Sequence, residues 1–165
     1  MKARGFLALA VSVCAAAGTA SAQTRYVDVV FPDPPIVTSN IVYGEATNSM
    51  GELQQLTLDV YQPNGDSETV RPTYVWVHGG NFRVGKKEDN SPLVDYVKRG
   101  WVGISINYRL RPELPGNAAV GALTDPASLP PFVDATTDAR HDAQAAVRWA
   151  RANAATYGID TGRIA

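Results

Sequence analysis

Residues 73–87 read TYVWVHGGNFRVGKK: an apolar run, a glycine pair, and a third glycine followed by two lysines. A nearly continuous apolar run is the pattern of a strand covered on both faces in a parallel sheet. Glycines directly after such a strand let backbone N–H groups approach an anion closely, because glycine admits backbone angles that other residues avoid. Two anions compete for this loop. Gly80 to Lys86 fits the phosphate-cradling pattern G-x-x-x-x-G-K, whereas His78-Gly79-Gly80 offers paired amides for the oxygen of a tetrahedral acyl-transfer intermediate. On the glycine pair alone, an ordinary tight turn is the simpler account.

The phosphate reading lacks three parts. Lys87 stands where a Ser or Thr would hold magnesium. Pro92 falls too early for a helix to run on from Lys86, although such a loop should open directly into a helix N-terminus. The next apolar strand, GISIN, ends in Asn107 rather than in a magnesium-binding acid. A lone spacing match without these parts does not point to a nucleotide.

Outward from the loop, SPLVDYVKRG (91–100) carries Leu93, Val94 and Val97 at helical spacing and stops at Gly100, and WVGISINY (101–108) is a second apolar strand. Strand, helix, strand is a crossover unit and implies a parallel pair. The Ala-rich stretch from Asp134 to Tyr157 is helical in period, with Ala139, Ala143, Ala146, Val147, Ala150 and Ala154 on its inner stripe and Gly158 at its end. Between them, residues 111–131 form a long irregular loop of the kind that rims sites or connects elements. GIDTGRIA (158–165) begins another buried strand. On the N-terminal side, IVTSNIVYGEA and LQQLTLDVYQP alternate apolar and polar residues, with Leu56, Leu58 and Val60 on one face. They read as half-buried strands of a hairpin joined at TNSMGE, and NGDSETVRP is turn chemistry.

The chain has 165 residues, with 15 Lys+Arg against 16 Asp+Glu. Lys2 and Arg4 precede an apolar run from Phe6 to Gly18, followed by Ala20-Ser21-Ala22, the pattern of a secretory signal peptide cleaved after Ala22. The run is shorter than the roughly 20 residues of a membrane span. Residues 1–22 are therefore expected to be a signal peptide, and the protein secreted or periplasmic. Cleavage would leave 143 residues with a net charge of −3 and without Cys14, the sole cysteine, so no disulfide framework is possible in the remainder. Mild acidity without basic runs argues against a nucleic-acid partner.

Three segments in order, YVWVHGGNF, GWVGISINYRLRPE and DAQAAVRWARANAATYGIDTGRI, resemble the N-terminal half of α/β-hydrolases of the carboxylesterase and lipase branch. LTLDVYQP is similar to the early strand of those enzymes, and the resemblance covers most of residues 45–165. It implies an α/β fold, a mostly parallel sheet with an antiparallel N-terminal hairpin and flanking helices. It further implies a carboxylic-ester hydrolase working through a serine acyl-enzyme on a small-molecule ester, without metal or organic cofactor. The oxyanion donors would be the amides of Gly79 and Gly80 with Asn81, where the family commonly has another small residue. His78 would hold loop geometry, and His78 and Phe82 would border substrate. A serine peptidase of the prolyl-oligopeptidase branch shares the fold, and a non-catalytic binding protein keeping half of it is a third reading.

The family's nucleophile sits in G-x-S-x-G on a strand-to-helix turn. A near match around Ser105 has Asn107 in place of the last glycine and lies inside an apolar run, so Ser105 reads as a strand serine. The resemblance implies that nucleophile, acid and catalytic base follow Ala165, that residues 23–165 are the N-terminal part of a longer domain, and that TYVWV alone would be an exposed, aggregation-prone edge. Among the remaining candidates, His141 reads as solvent-facing or locally bonded. Asp138 and Asp142, an i, i+4 pair, read as a solvated or capping face. Tyr108-Arg109 reads as a strand-end anchor through hydrogen bonds and an ion pair, and Trp76, Trp101 and Trp149 as core.

Overall fold

The computed structural model describes residues 24–116 and 124–165; the expected signal peptide, residues 1–22, lies outside them, as does part of the 111–131 loop. Five strands form one mixed sheet in the order β1-β2-β4-β3-β5. β1 (Ile36–Thr47) and β2 (Leu53–Gln62) make the expected antiparallel hairpin. β2 continues antiparallel onto β4 (Val102–Ile106), and β3 (Arg71–Val77) lies parallel to β4, as a crossover through α1 (Ser91–Val97) requires.

The strand period decides which residues meet which helix. Leu56, Leu58 and Val60 of β2 and Val102, Ile104 and Ile106 of β4 are buried in the main core, together with Ala146 and Ala150 of the long helix α2 (Leu129–Ala152). On the opposite face Leu93 and Val97 of α1 pack with Tyr61, Tyr74 and Trp76. Gly103 sits under α1 at a point where a Cβ would meet Leu93 Cγ at 2.8 Å and Val97 Cγ2 at 2.9 Å, so its missing side chain sets how closely that helix approaches. Covered on both faces, β4 is buried along its whole length.

Several expectations need correction. α2 begins at Leu129, five residues before Asp134, because Pro130 and Pro131 lie in its first turn, where a missing N–H breaks no helical bond. The helix is interrupted at Asn153 and resumes as the short α3 (Ala154–Tyr157), which Gly158 ends at φ 65°. β5 (Ile159–Ile164) buries only Ile159, and it pairs in parallel with β3, so β3 is not a wholly open edge. That pairing reaches Val75, whose amide donates to Ala165 at 2.8 Å. Beyond it β3 is covered less than its apolar sequence suggests, and Val77 is exposed. All three tryptophans are partly buried rather than enclosed; Trp76 Nε1 donates to the Asp89 carbonyl at 2.7 Å.

Candidate active site

β3 ends at Val77, at the carboxyl end of the parallel strands, where open α/β sheets present their ligand crevices. The following turn bends sharply: φ is 121° at Gly80, 56° at Asn81 and 61° at Phe82. A Cβ on Gly80 would lie 1.9 Å from the Val84 carbonyl oxygen, so the chain folds back over this residue. Gly79 is the contrary case: it is exposed, and a Cβ there would meet nothing within 4 Å.

Three successive carbonyls of the turn are held by the protein. Tyr108 Oη donates to the His78 carbonyl at 3.1 Å. His78 Nδ1 lies 2.7 Å from the Gly79 carbonyl, and since a carbonyl only accepts, Nδ1 carries the proton. The Gly80 carbonyl accepts from the amides of Arg83 at 3.1 Å and Val84 at 3.3 Å. In a trans peptide the N–H points opposite to the C=O of the same unit. Fixing the carbonyls of His78, Gly79 and Gly80 therefore turns the amides of Gly79, Gly80 and Asn81 the other way. Among the described residues nothing accepts from these three amides.

His78 is 3% exposed and works from beneath the turn. Its ring stacks on Tyr108 with centroids 4.5 Å apart, and Gly85 packs against it so closely that a Cβ would lie 2.3 Å from Nδ1. Phe82 is half-buried, edge-on to Tyr108 and to Phe132.

Lys87, the residue that spoils the phosphate pattern, closes the far end of the loop. Its ammonium is buried 2.9 Å from Asp59, which also accepts from the Asn40 amide of β1 at 2.7 Å. Burial pulls the Lys87 pKa down, but the hydrogen bonds to Glu88 and Asp59 outweigh it and hold the pKa above the ordinary lysine value. The Lys87 amide donates to Asn107 Oδ1 at 2.7 Å, and its carbonyl accepts from Ser105 Oγ at 2.6 Å and Asn90 Nδ2 at 2.8 Å. Ser105 is thus a fully buried strand serine. Committed to carboxylates and to the strand end, Lys87 cannot do the work of the Ser or Thr hydroxyl that would hold magnesium in a phosphate-binding loop.

Asp142 and Asp138 are not a solvated face. Asp142, 3% exposed, accepts from the Arg109 amide at 2.9 Å and from Nη2 at 2.8 Å, and Asp138 pairs with Arg109 at 3.2 Å and Arg111 at 2.8 Å. Residues 109 and 111 share a side of an extended segment, while 138 and 142 share a helix face. That matched spacing of two arginines and two aspartates was the available signal in the sequence. His141 is exposed beside Arg140, 3.2 Å from its Nη2. Next to the turn, a cavity of about 400 Å3 is lined by Gln54, Thr57, Lys86, Asn107, Tyr108 and Leu110 among others.

The family model described as BD-FAE matches residues 58–124. Phenmedipham hydrolase of Pseudarthrobacter oxydans is 34% identical over 111 residues, covering 66% of this chain and 20% of that protein. Carboxylesterase NlhH of Mycobacterium tuberculosis is 28% identical over 134 residues, covering 80% and 35% respectively. Esterase 2 of Thermogutta terrifontis, solved phosphonylated by sarin, superposes with a TM-score of 0.54 at 25% identity, covering 81% of this chain and 40% of that one. The chain thus spans well under half the length of the relatives it matches. No helix among the described residues is long and apolar enough to cross a membrane. The mixed five-stranded sheet, the glycine turn at the end of β3 and these likenesses identify the chain as part of an α/β-hydrolase fold, similar to that of esterases.

Proposed function

We propose that this chain supplies the oxyanion-holding part of a carboxylic-ester hydrolase that works through a serine acyl-enzyme on a small-molecule ester. The observation that carries the reading is the set of three successive amides, Gly79, Gly80 and Asn81, left without acceptors because their partner carbonyls are held. When a serine oxygen attacks an ester carbonyl, the π electrons move onto the carbonyl oxygen, and fixed N–H donors stabilise the charge there without reorganising. Each such donor is worth about 100- to 1,000-fold in rate. The names of the relatives, a carboxylesterase and a phenmedipham hydrolase among them, agree with ester chemistry.

No serine among these 165 residues stands in G-x-S-x-G, so the nucleophile is assigned to further polypeptide. The test is a titration of the 15N-labelled chain with methylphosphonate, a small tetrahedral anion. The amide resonances of Gly79, Gly80 and Asn81 should move together, and resonances that stay fixed would sink the reading. The chain itself should leave p-nitrophenyl acetate at its background rate; turnover that survives Ser105→Ala and is lost in Gly80→Ala would overturn the placement of the nucleophile. Export is part of the same proposal, supported by the N-terminal charge and apolar pattern, and the secreted protein should begin at Gln23 on N-terminal sequencing.

A further inference from the structure

The turn after β3 is tied to the segment after β4 by contacts that the sheet does not require. The Asn81 side-chain amide donates to the Gly116 carbonyl at 3.2 Å. Arg83 Nε donates to the Leu114 carbonyl, its Nη2 reaches the Pro112 carbonyl at 3.5 Å, and the Arg111 amide donates to the Phe82 carbonyl at 2.7 Å. Leu114 is buried with Ala135 and packs against Phe82 and Phe132, while Pro112, Glu113, Pro115 and Gly116 are exposed. Residues 112–116 therefore form a rim with one apolar anchor at its centre and a polar tether at its end.

Position 81 is where the two demands meet. At φ 56° glycine is unstrained and asparagine is among the few other residues that tolerate the angle. A glycine would serve the turn but could not reach Gly116. Asparagine serves both, and its own amide is one of the three unpartnered donors.

We propose that Asn81 is a positioning residue of the candidate site. Its side chain, with Arg83 beside it, holds the 112–116 rim against the turn and limits the size of the group that can sit beside an anion held by the three amides. The proposal rests on the oxyanion reading for its consequence, but the tether itself can be tested separately.

Two variants separate the possibilities. Asn81→Gly removes the tether without backbone strain, and Asn81→Asp keeps the shape but has no donor for Gly116. In both, hydrogen exchange of the Leu114 amide, which donates to the Arg111 carbonyl at 3.1 Å, should quicken by about three- to tenfold, the effect of losing one hydrogen bond. Wild type should respond to methylphosphonate and not to tert-butylphosphonate, and Asn81→Gly should respond to both. Unchanged exchange in both variants would overturn the tether. Faster exchange with an unaltered preference between the two phosphonates would overturn the size-limiting role. Faster exchange with no response to either phosphonate in any form would keep the tether, and would remove the oxyanion reading together with the size limit built on it.

Discussion

His78 Nδ1 lies 2.7 Å from the carbonyl oxygen of Gly79, its own neighbour in the chain, and the peptide unit held by this contact carries the amide of Gly80 at its other end. A side chain buried under the turn thus fixes a donor on the turn's open side. Replacing His78 by Phe keeps a ring against Tyr108 and removes the donor to Gly79. Thermal unfolding should stay cooperative with a loss of about 1 kcal/mol. The Gly80 amide resonance should nonetheless lose most of its response to methylphosphonate. An unaltered response would mean that the glycines alone set the turn.

The three glycines of the loop should differ sharply on substitution by alanine. Gly79→Ala meets nothing within 4 Å and should change stability by no more than about 0.5 kcal/mol. At Gly80 a Cβ falls 1.9 Å from the Val84 carbonyl oxygen, and at Gly85 it falls 2.3 Å from His78 Nδ1, both at positive φ. Each should cost about 3 kcal/mol through strain and overpacking. Urea unfolding midpoints for the three variants check the ranking, and equal losses at 79 and 80 would contradict the backbone described here.

In the Arg109–Asp142 pair the carboxylate is buried and the guanidinium largely covered, with side chains 3% and 12% exposed. Asp142→Ala leaves the Arg109 guanidinium only Asp138 and the Thr47 carbonyl and should destabilise by about 2–3 kcal/mol, whereas Arg109→Met with Asp142→Leu should recover much of the loss. Asp138 is more open, and Asp138→Ala should cost about 1 kcal/mol or less. Denaturant curves for the set check whether the pair acts as a unit, as residues in one network do.

Acid stability should depend on Asp66. Burial pushes its pKa up, but hydrogen bonds from Arg25 and Arg71 outweigh burial and lower it from 3.8 to about 2. A carboxylate with a depressed folded-state pKa contributes stability above its unfolded value and loses it as pH falls through the folded one. Wild type should therefore lose stability between about 3.8 and about 2, and Asp66→Asn should show a flatter slope in that window. Parallel slopes by thermal unfolding would remove the link between this pair of arginines and acid resistance. The same carboxylate pins residues 24–31 to the fold through Arg25, which places the start of the described chain against the turn before β3.

Much of this architecture is legible without coordinates, and the reasons are local. The period of two in LQQLTLDVYQ puts Leu56, Leu58 and Val60 on one face wherever the strand goes. Gly100 and Gly158 both adopt positive φ at the ends of helical stretches, as their position in the sequence suggests. The start of α2 is not legible in the sequence, because two prolines are as compatible with a loop as with a helix's first turn. The burial of the aspartates of α2 is not legible for a different reason: their arginine partners lie 27 to 33 residues away, and helical periodicity carries no information about what faces a helix.

The sequence by itself determined the elements, the glycine turn and the absence of a nucleophile motif within 165 residues, since these depend on neighbours in the chain. Only the tertiary structure decided which way the turn's peptides face. That choice rests on Tyr108, which reaches back 30 residues to the His78 carbonyl and stacks on the ring whose Nδ1 holds the Gly79 carbonyl, while Lys87 finding Asp59 across 28 and Asn81 holding Gly116 across 35 anchor the loop around it. Peptide orientation costs little to change in an isolated turn; the Gly80 carbonyl is held locally by the amides of Arg83 and Val84, but the other two depend on Tyr108, which meets the His78 carbonyl and ring only when the sheet has formed.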